Sequence, residues 1–256
     1  MPYFTASAFS YMKSCIVYGR SKFSIFSTAA WISPTQLPKD SGHSMTTKAR
    51  AVFWDMDGTL IDTEDLHYEV IRDWCAKFGY ELTLEANDEL IAKTMPEKWQ
   101  ILAPRVDSSA TEALFRRECE DWYIERLTAD KGLDRALKIV RKVAERGILQ
   151  ACVSNGEHEV VKANVEILGL SDVFSFLVTG GNCDPGKPAP DPYLMAAKQA
   201  GFAPEECIAV EDSAVGMAAA RAAGLILCGW PHDPSGEFDV DYLLKTGEEF
   251  PFDLLD

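Results

Sequence analysis

Between residues 132 and 229, short apolar runs alternate with longer segments whose apolar residues recur at helical spacing. No other feature restricts the possible folds as much. The runs at 148–153, 174–178, 207–210 and 225–229 have strand length, and little in them is charged. The segments between them carry helix signals. Leu133, Ala136, Leu137, Val140 and Val143 form a stripe that ends near Gly147; Val160 to Leu168 is closed by Gly169; Asp191-Pro192 opens a helix over 193–200; Ser213 to Ala223 forms the last. Strands separated by helices of about ten residues specify βαβ units and a parallel sheet.

An apolar run at Ala51-Val52-Phe53-Trp54 belongs with that sheet, although a long stretch without strand character separates it from the rest. Helices are predicted there over 66–78, 85–92, 97–103 and 111–127, with Leu66, Val70, Ile71, Trp74 and Phe78 on the first and Leu114, Phe115, Trp122 and Leu127 on the last. These aromatic stripes read as helix-bundle core. The fold class is therefore α/β, a Rossmann-like parallel sheet core with an inserted all-helical cap domain. Residues 49–64 and 131–256 form the core, residues 65–130 the cap, and residues 1–48 an extension.

The first strand runs into Asp55-Met56-Asp57-Gly58-Thr59. Two carboxylates so close repel each other and are costly to desolvate unless a cation or a shared proton relieves them. An Asp-Gly hairpin turn is the plain alternative. Three further polar clusters follow strand-like runs: Ser154-Asn155-Gly156, Lys187 within Gly186-Lys187-Pro188-Ala189-Pro190-Asp191, and Glu211-Asp212-Ser213. Each has a structural reading of its own, as a turn, a solvated loop lysine and a helix cap. What those readings leave unexplained is that all four clusters fall at carboxyl ends of one βαβ array, where open α/β sheets bind ligands. Together, Asp55, Asp57, Glu211 and Asp212 supply oxygen ligands for a hard cation such as Mg²⁺. Ser154, Asn155, backbone N–H groups and Lys187 supply the donors that a phosphoryl group needs.

A formal charge of −15 argues against a nucleic-acid groove and against attraction to anionic membranes. Seven scattered cysteines without C-x-x-C spacing suit a reducing, cytoplasm-like compartment. Residues 1–50 differ, holding six basic residues and one acid for a charge of +5, which leaves −20 for the remainder. That acid-poor, Ser-rich stretch has the character of a transit peptide to a mitochondrion or plastid. A disordered extension, or a start at Met45, explains it equally well.

The four clusters, in this order, resemble the haloacid dehalogenase superfamily, in the helical-cap branch of β-phosphoglucomutase and the small sugar-phosphate and phosphoglycolate phosphatases. The resemblance rests on Asp55-Met-Asp-Gly-Thr-Leu-Ile-Asp-Thr-Glu64, Ser154-Asn155-Gly156, Gly186-Lys-Pro-Ala-Pro-Asp191 and Glu211-Asp-Ser-Ala-Val-Gly216 with Ala222-Ala223-Gly224, and covers about residues 50–230. It implies that Asp55 is a nucleophile forming an aspartyl-phosphate. Asp57 would act as general acid and base, its backbone carbonyl also ligating Mg²⁺. Ser154 and the Asn155 N–H would hold phosphoryl oxygens, and Lys187 would neutralise charge on nucleophile and phosphate. Asp212, with Glu211 directly or through water, would complete the metal site.

The expected activity is Mg²⁺-dependent hydrolysis of a small phosphorylated metabolite by a monomer or weak dimer. Dehalogenases of the superfamily lack the second acid, which Asp57 supplies here. A β-phosphoglucomutase-type mutase is the alternative, since Thr63 and His67 occupy positions those enzymes use near the hinge. A binding protein without activity is a further reading, opposed by the presence of every catalytic position. The cap loop Ile91-Ala-Lys-Thr-Met-Pro-Glu-Lys98 lacks the glycine and arginine expected for a distal phosphate, which favours a phosphatase. Lys93, Lys98, Trp99 and Arg105 are the candidates for substrate contact from the cap, with hinges at 62–64 and 128–132.

Overall fold

The computed structural model describes residues 48–255 apart from Ala92. The expectations for the N-terminal extension lie outside the described residues, except for Lys48. Six parallel strands form one sheet in the order β3-β2-β1-β4-β5-β6, with β1 (Ala51–Trp54), β2 (Leu149–Val153), β3 (Phe174–Val178), β4 (Cys207–Glu211), β5 (Ile226–Gly229) and β6 (Tyr242–Leu243). The chain builds outward from β1 to β3, returns across the sheet to β4, and continues outward to β6. That reversal puts a topological switch beside β1, at the carboxyl edge where doubly wound sheets bind their ligands.

β1 shows why the sheet is buried on both faces. Val52 and Trp54 belong to one apolar cluster, whereas Ala51 and Phe53 belong to the other, as strand alternation requires. The second cluster is completed by α7 (Asp191–Ala200) and α8 (Ala214–Ala223), and the first includes residues of α5 (Asp134–Glu145) and α6 (His158–Ile167). The one large polar group facing the first cluster from β1 is satisfied. Trp54 Nε1 donates to Gln150 Oε1 at 2.9 Å, and Gln150 Nε2 donates to the Val140 carbonyl at 3.1 Å.

Between β1 and β2 the chain is helical, with α1 (Glu64–Lys77), α2 (Leu84–Asn87), α3 (Met95–Leu102) and α4 (Glu112–Arg126). This is the helical cap. Its interior is aromatic: the Trp74 ring lies 4.9 Å from Phe115 and 6.2 Å from Trp99. The two chain segments that join cap and sheet run side by side, with Asp62 N–H donating to the Lys131 carbonyl at 2.9 Å and Leu133 N–H to the Leu60 carbonyl at 2.9 Å.

Two details differ from expectation. The helix predicted over 85–92 stops at Asn87, and the chain continues in turns, with Asp88 N–H donating to the Glu85 carbonyl at 3.3 Å and Leu90 N–H to the Asn87 carbonyl at 2.7 Å. β6 was not anticipated; two residues carry no readable alternation, and the strand exists through its pairing with Cys228 and Gly229.

Candidate active site

Asp55 follows β1 directly, and its side chain is 12% exposed. The ammonium of Lys187 lies 2.6 Å from Asp55 Oδ1, 2.6 Å from Glu211 Oε1 and 2.7 Å from the Val153 carbonyl. An ammonium has three protons, and these three acceptors engage all of them. Glu211, the last residue of β4, is fully buried, and its Oε1 also accepts from the Tyr193 hydroxyl at 2.5 Å. The carboxylates of Asp55, Glu211 and Asp212 converge, with one oxygen from each lying within 4.8 Å of the others.

The loop after β1 holds Asp212 in place. Gly58 has φ +83°, and a Cβ there would run into the Asp212 carboxylate, so only glycine permits both the turn and the approach. Thr59 Oγ donates to Asp212 Oδ1 at 3.4 Å.

The Asp57 carboxylate points elsewhere. Its Oδ1 accepts from Thr63 Oγ at 3.0 Å and lies 3.8 Å from His67 Nε2. His67 in turn stacks on Tyr123, with ring centroids 4.6 Å apart. A Cβ built on Gly156 would sit 3.2 Å from Ser154 Oγ and 4.0 Å from Asp57 Oδ2, so the loop after β2 faces Asp57 directly. Thus the metal grouping expected from sequence is divided. Asp55, Glu211 and Asp212 form a trio of carboxylates, and the Asp57 carboxylate stands outside it, beside Thr63, His67 and the Ser154 loop.

The Asn155 side chain also does something other than expected. Its Oδ1 accepts from the Lys187 backbone N–H at 2.8 Å and its Nδ2 donates to the Lys187 carbonyl at 2.9 Å. This two-point clamp carries Lys187 into the carboxylate trio. Ser154 Oγ accepts from the Gly156 N–H at 3.0 Å.

The electrostatics fit a site built for a cation. Burial pushes the Asp212 carboxyl up to about 7, with the nearby Asp55 charge adding to it. Burial likewise raises Asp55 and Glu211, against the opposing pull of Lys187. For Lys187, burial favours the neutral amine, but Asp55 and Glu211 outweigh it and hold the ammonium protonated. One ammonium cannot balance three carboxylates, and Glu211 Oε2 is buried without a hydrogen-bond partner among the described residues. An all-oxygen donor set, an excess of negative charge and an orphaned carboxylate oxygen fit a hard divalent cation. Burial also pushes Asp57 upward, but the influences of His67, Thr63 and Lys98 exceed it and set the group below the ordinary carboxylate range. That net direction agrees with its side chain being 42% exposed, which limits the cost of its charge.

Residues 49–224 match the family described as haloacid dehalogenase-like hydrolase. The chain belongs to that family. It is 28% identical to the fructose-1-phosphate phosphatase of Escherichia coli, over 71% of this chain and 96% of that protein. It is 29% identical to hexitol phosphatase A of the same organism, over 79% of this chain and 93% of that one. The crystal structure of CbbY from Rhodobacter sphaeroides in complex with phosphate superposes with a TM-score of 0.72 at 25% identity, covering 81% of this chain and 99% of that one.

Within the cap, the structure sorts the candidates for substrate contact. Arg105 is committed to Glu89 at 2.7 Å, and Trp99 packs against Trp74 and Phe115. Lys93 is exposed. Lys98 shares the inward face of α3 with Leu102, one turn later, and lies within electrostatic reach of both Asp57 and Cys119. Burial favours its neutral form, which the Asp57 charge opposes. Tyr193 and Tyr123 were missed by sequence reasoning. Both are nearly inaccessible aromatics on helices, and nothing in their spacing separates a hydroxyl with a specific partner from ordinary core.

Proposed function

We propose that this protein is a phosphatase hydrolysing a small phosphorylated metabolite, sugar phosphates being the leading class, through an aspartyl-phosphate on Asp55. The observation that carries the proposal is the Asp55 carboxylate, held at 2.6 Å by a fully engaged Lys187 inside a trio of carboxylates at the central strand's carboxyl end. The sugar-phosphate phosphatases among its relatives support the substrate class. Residues 49–64 and 131–256 serve as catalytic core and 65–130 as cap, moving about 62–64 and 128–132.

Asp55, Asp212 and the Asp57 backbone carbonyl would hold Mg²⁺, with Glu211 contributing directly or through water. Bound there, the cation lowers the repulsion between an anionic nucleophile and an anionic substrate. Lys187 keeps Asp55 ionised and fixes the direction of its attacking oxygen. With its three protons engaged, it acts on Asp55 by charge and orientation, a narrower duty than neutralising the phosphate as well. The Ser154 hydroxyl and the Asn155 N–H bind the non-bridging phosphoryl oxygens.

Asp55 attacks phosphorus as the bond to the leaving oxygen breaks, and Asp57 gives that oxygen its proton. Asp57 then removes a proton from water, which attacks the aspartyl-phosphate, releasing phosphate and restoring Asp55. Asp57 is held ionised by Thr63, His67 and Lys98, as the second step requires. An entering phosphate dianion raises its proton affinity and loads it for the first. Among the cap candidates, Lys98, within electrostatic reach of Asp57, would contact the substrate.

Hydrolysis of an aryl phosphate with and without Mg²⁺ tests the reading. Asp55→Asn is expected to fold and to lose all turnover, and retained activity would remove Asp55 from the mechanism. A panel of phosphorylated metabolites then ranks substrates. Glucose 6-phosphate appearing from glucose 1-phosphate faster than free phosphate would assign a mutase instead.

A further inference from the structure

The mechanism leaves one buried hydroxyl at the site without a task. Tyr193 is fully buried on α7, its hydroxyl donates to Glu211 Oε1 at 2.5 Å, and its ring lies 5.2 Å from the Lys187 ammonium. It therefore touches both members of the Lys187–Glu211 pair. Gly216 packs directly against the Glu211 carboxylate, where any Cβ would collide with the carboxyl group. Glu211 Oε1 is shared between Lys187 and Tyr193, and Oε2 has no partner among the described residues.

Rotation of a carboxylate about its last torsion is broad and weakly restrained in itself. Two donors on the same oxygen remove that freedom, so that one oxygen faces Lys187 and the other is left over. We propose that Tyr193 is a positioning residue: its hydroxyl fixes Glu211 so that Oε1 anchors Lys187 against Asp55 while Oε2 stays available to the metal site. This assignment rests on the phosphatase reading for its consequence in turnover, but its consequence for cation binding stands separately. Ordinary packing explains a buried tyrosine ring; it does not explain a hydrogen bond to the same Glu211 oxygen that accepts from Lys187.

Tyr193→Phe keeps the ring and removes only the hydroxyl. Outer partners of metal sites are worth about 10- to 100-fold in affinity or activity. The variant is expected to bind Mg²⁺ about tenfold more weakly by calorimetry without substrate, and to lose about 10- to 100-fold in kcat on an aryl phosphate at saturating Mg²⁺. KM should change by less than about threefold, because the hydroxyl does not face the substrate. In a Glu211→Gln background the same change should add little, as residues acting through one another are non-additive. A folded Tyr193→Phe with wild-type Mg²⁺ affinity and kcat overturns the proposal, and so does full additivity with Glu211→Gln. A second measurement does not depend on that variant folding. Mg²⁺ added to the metal-free wild-type protein should produce a tyrosine band in the ultraviolet difference spectrum that is lost in Glu211→Gln, and its absence from the wild type also overturns the proposal. A wild-type protein without aryl phosphatase activity would sink the phosphatase reading alone, leaving calorimetry and spectrum to decide Tyr193.

Discussion

Replacing Lys187 by methionine keeps the side chain's length and removes its charge. Asp55 and Glu211 each lose a donor at 2.6 Å, and the Val153 carbonyl loses one at 2.7 Å. The carbonyl accounts for about 1 kcal/mol. Stripping one partner from a buried ion pair costs about 3–5 kcal/mol, because the remaining charge is stranded. A stranded carboxylate can instead take up a proton, at about 1.4 kcal/mol for each pH unit above its ordinary value near 4. At pH 5 that escape is cheap, and the whole substitution should cost about 2 kcal/mol. At pH 7 escape costs as much as stranding, and with the carbonyl the loss should reach about 5 kcal/mol.

The sign follows from linkage. Burial already raises the folded Asp55 and Glu211 carboxyls beside Lys187, and losing the ammonium raises them further, so the variant's deficit is smallest below the unfolded pKa and grows as pH rises toward the folded one. Urea unfolding of both proteins at pH 5, 6 and 7 with chelator present measures the difference. A deficit below about 1 kcal/mol, or one that is equal at pH 5 and pH 7, would show that Lys187 is not the charge holding this cluster together.

Two other outcomes can be checked on the same material. Gly58→Ala forces a side chain into left-handed backbone and into the Asp212 carboxylate; stability should fall by about 1–3 kcal/mol and the Mg²⁺ needed for half-maximal turnover should rise about tenfold. An unchanged Mg²⁺ requirement would separate the Gly58 turn from the cation site. Because burial pushes the Asp212 carboxyl up to about 7, a cation must displace its proton at low pH, so Mg²⁺ should raise Tm more at pH 8 than at pH 5. An equal rise at both values would place the cation away from Asp212.

Much of this was visible in the chain before any coordinates. The alternation after residue 132 specified a parallel sheet, because periods of 2.0 and 3.6 are local properties and need no distant contact to be read. Asp55, Asp57, Ser154, Lys187 and Asp212 were picked out by their positions after apolar runs, and topology brings such positions to one edge. β6 was invisible for the opposite reason, as its two residues are a strand only because β5 offers them an unpaired edge.

Within the site, residue type was local information and partner choice was not. A lysine near four acids promises neutralisation, but only the packed core decides that its three protons go to Asp55, Val153 and Glu211. Asn155 was expected to lend a backbone N–H to phosphate; that its side chain clamps the Lys187 backbone depends on a cross-loop contact between residues 32 positions apart. Asp55 and Asp57 are one residue apart, yet one joins a carboxylate trio and the other reaches Thr63 and His67. The sequence determined which chemical groups reach the sheet's carboxyl edge, because strand ends and turns are encoded in neighbouring residues. Tertiary structure alone decided which oxygen meets which proton, because those pairings are set at ångström scale by elements that meet only when the core is packed.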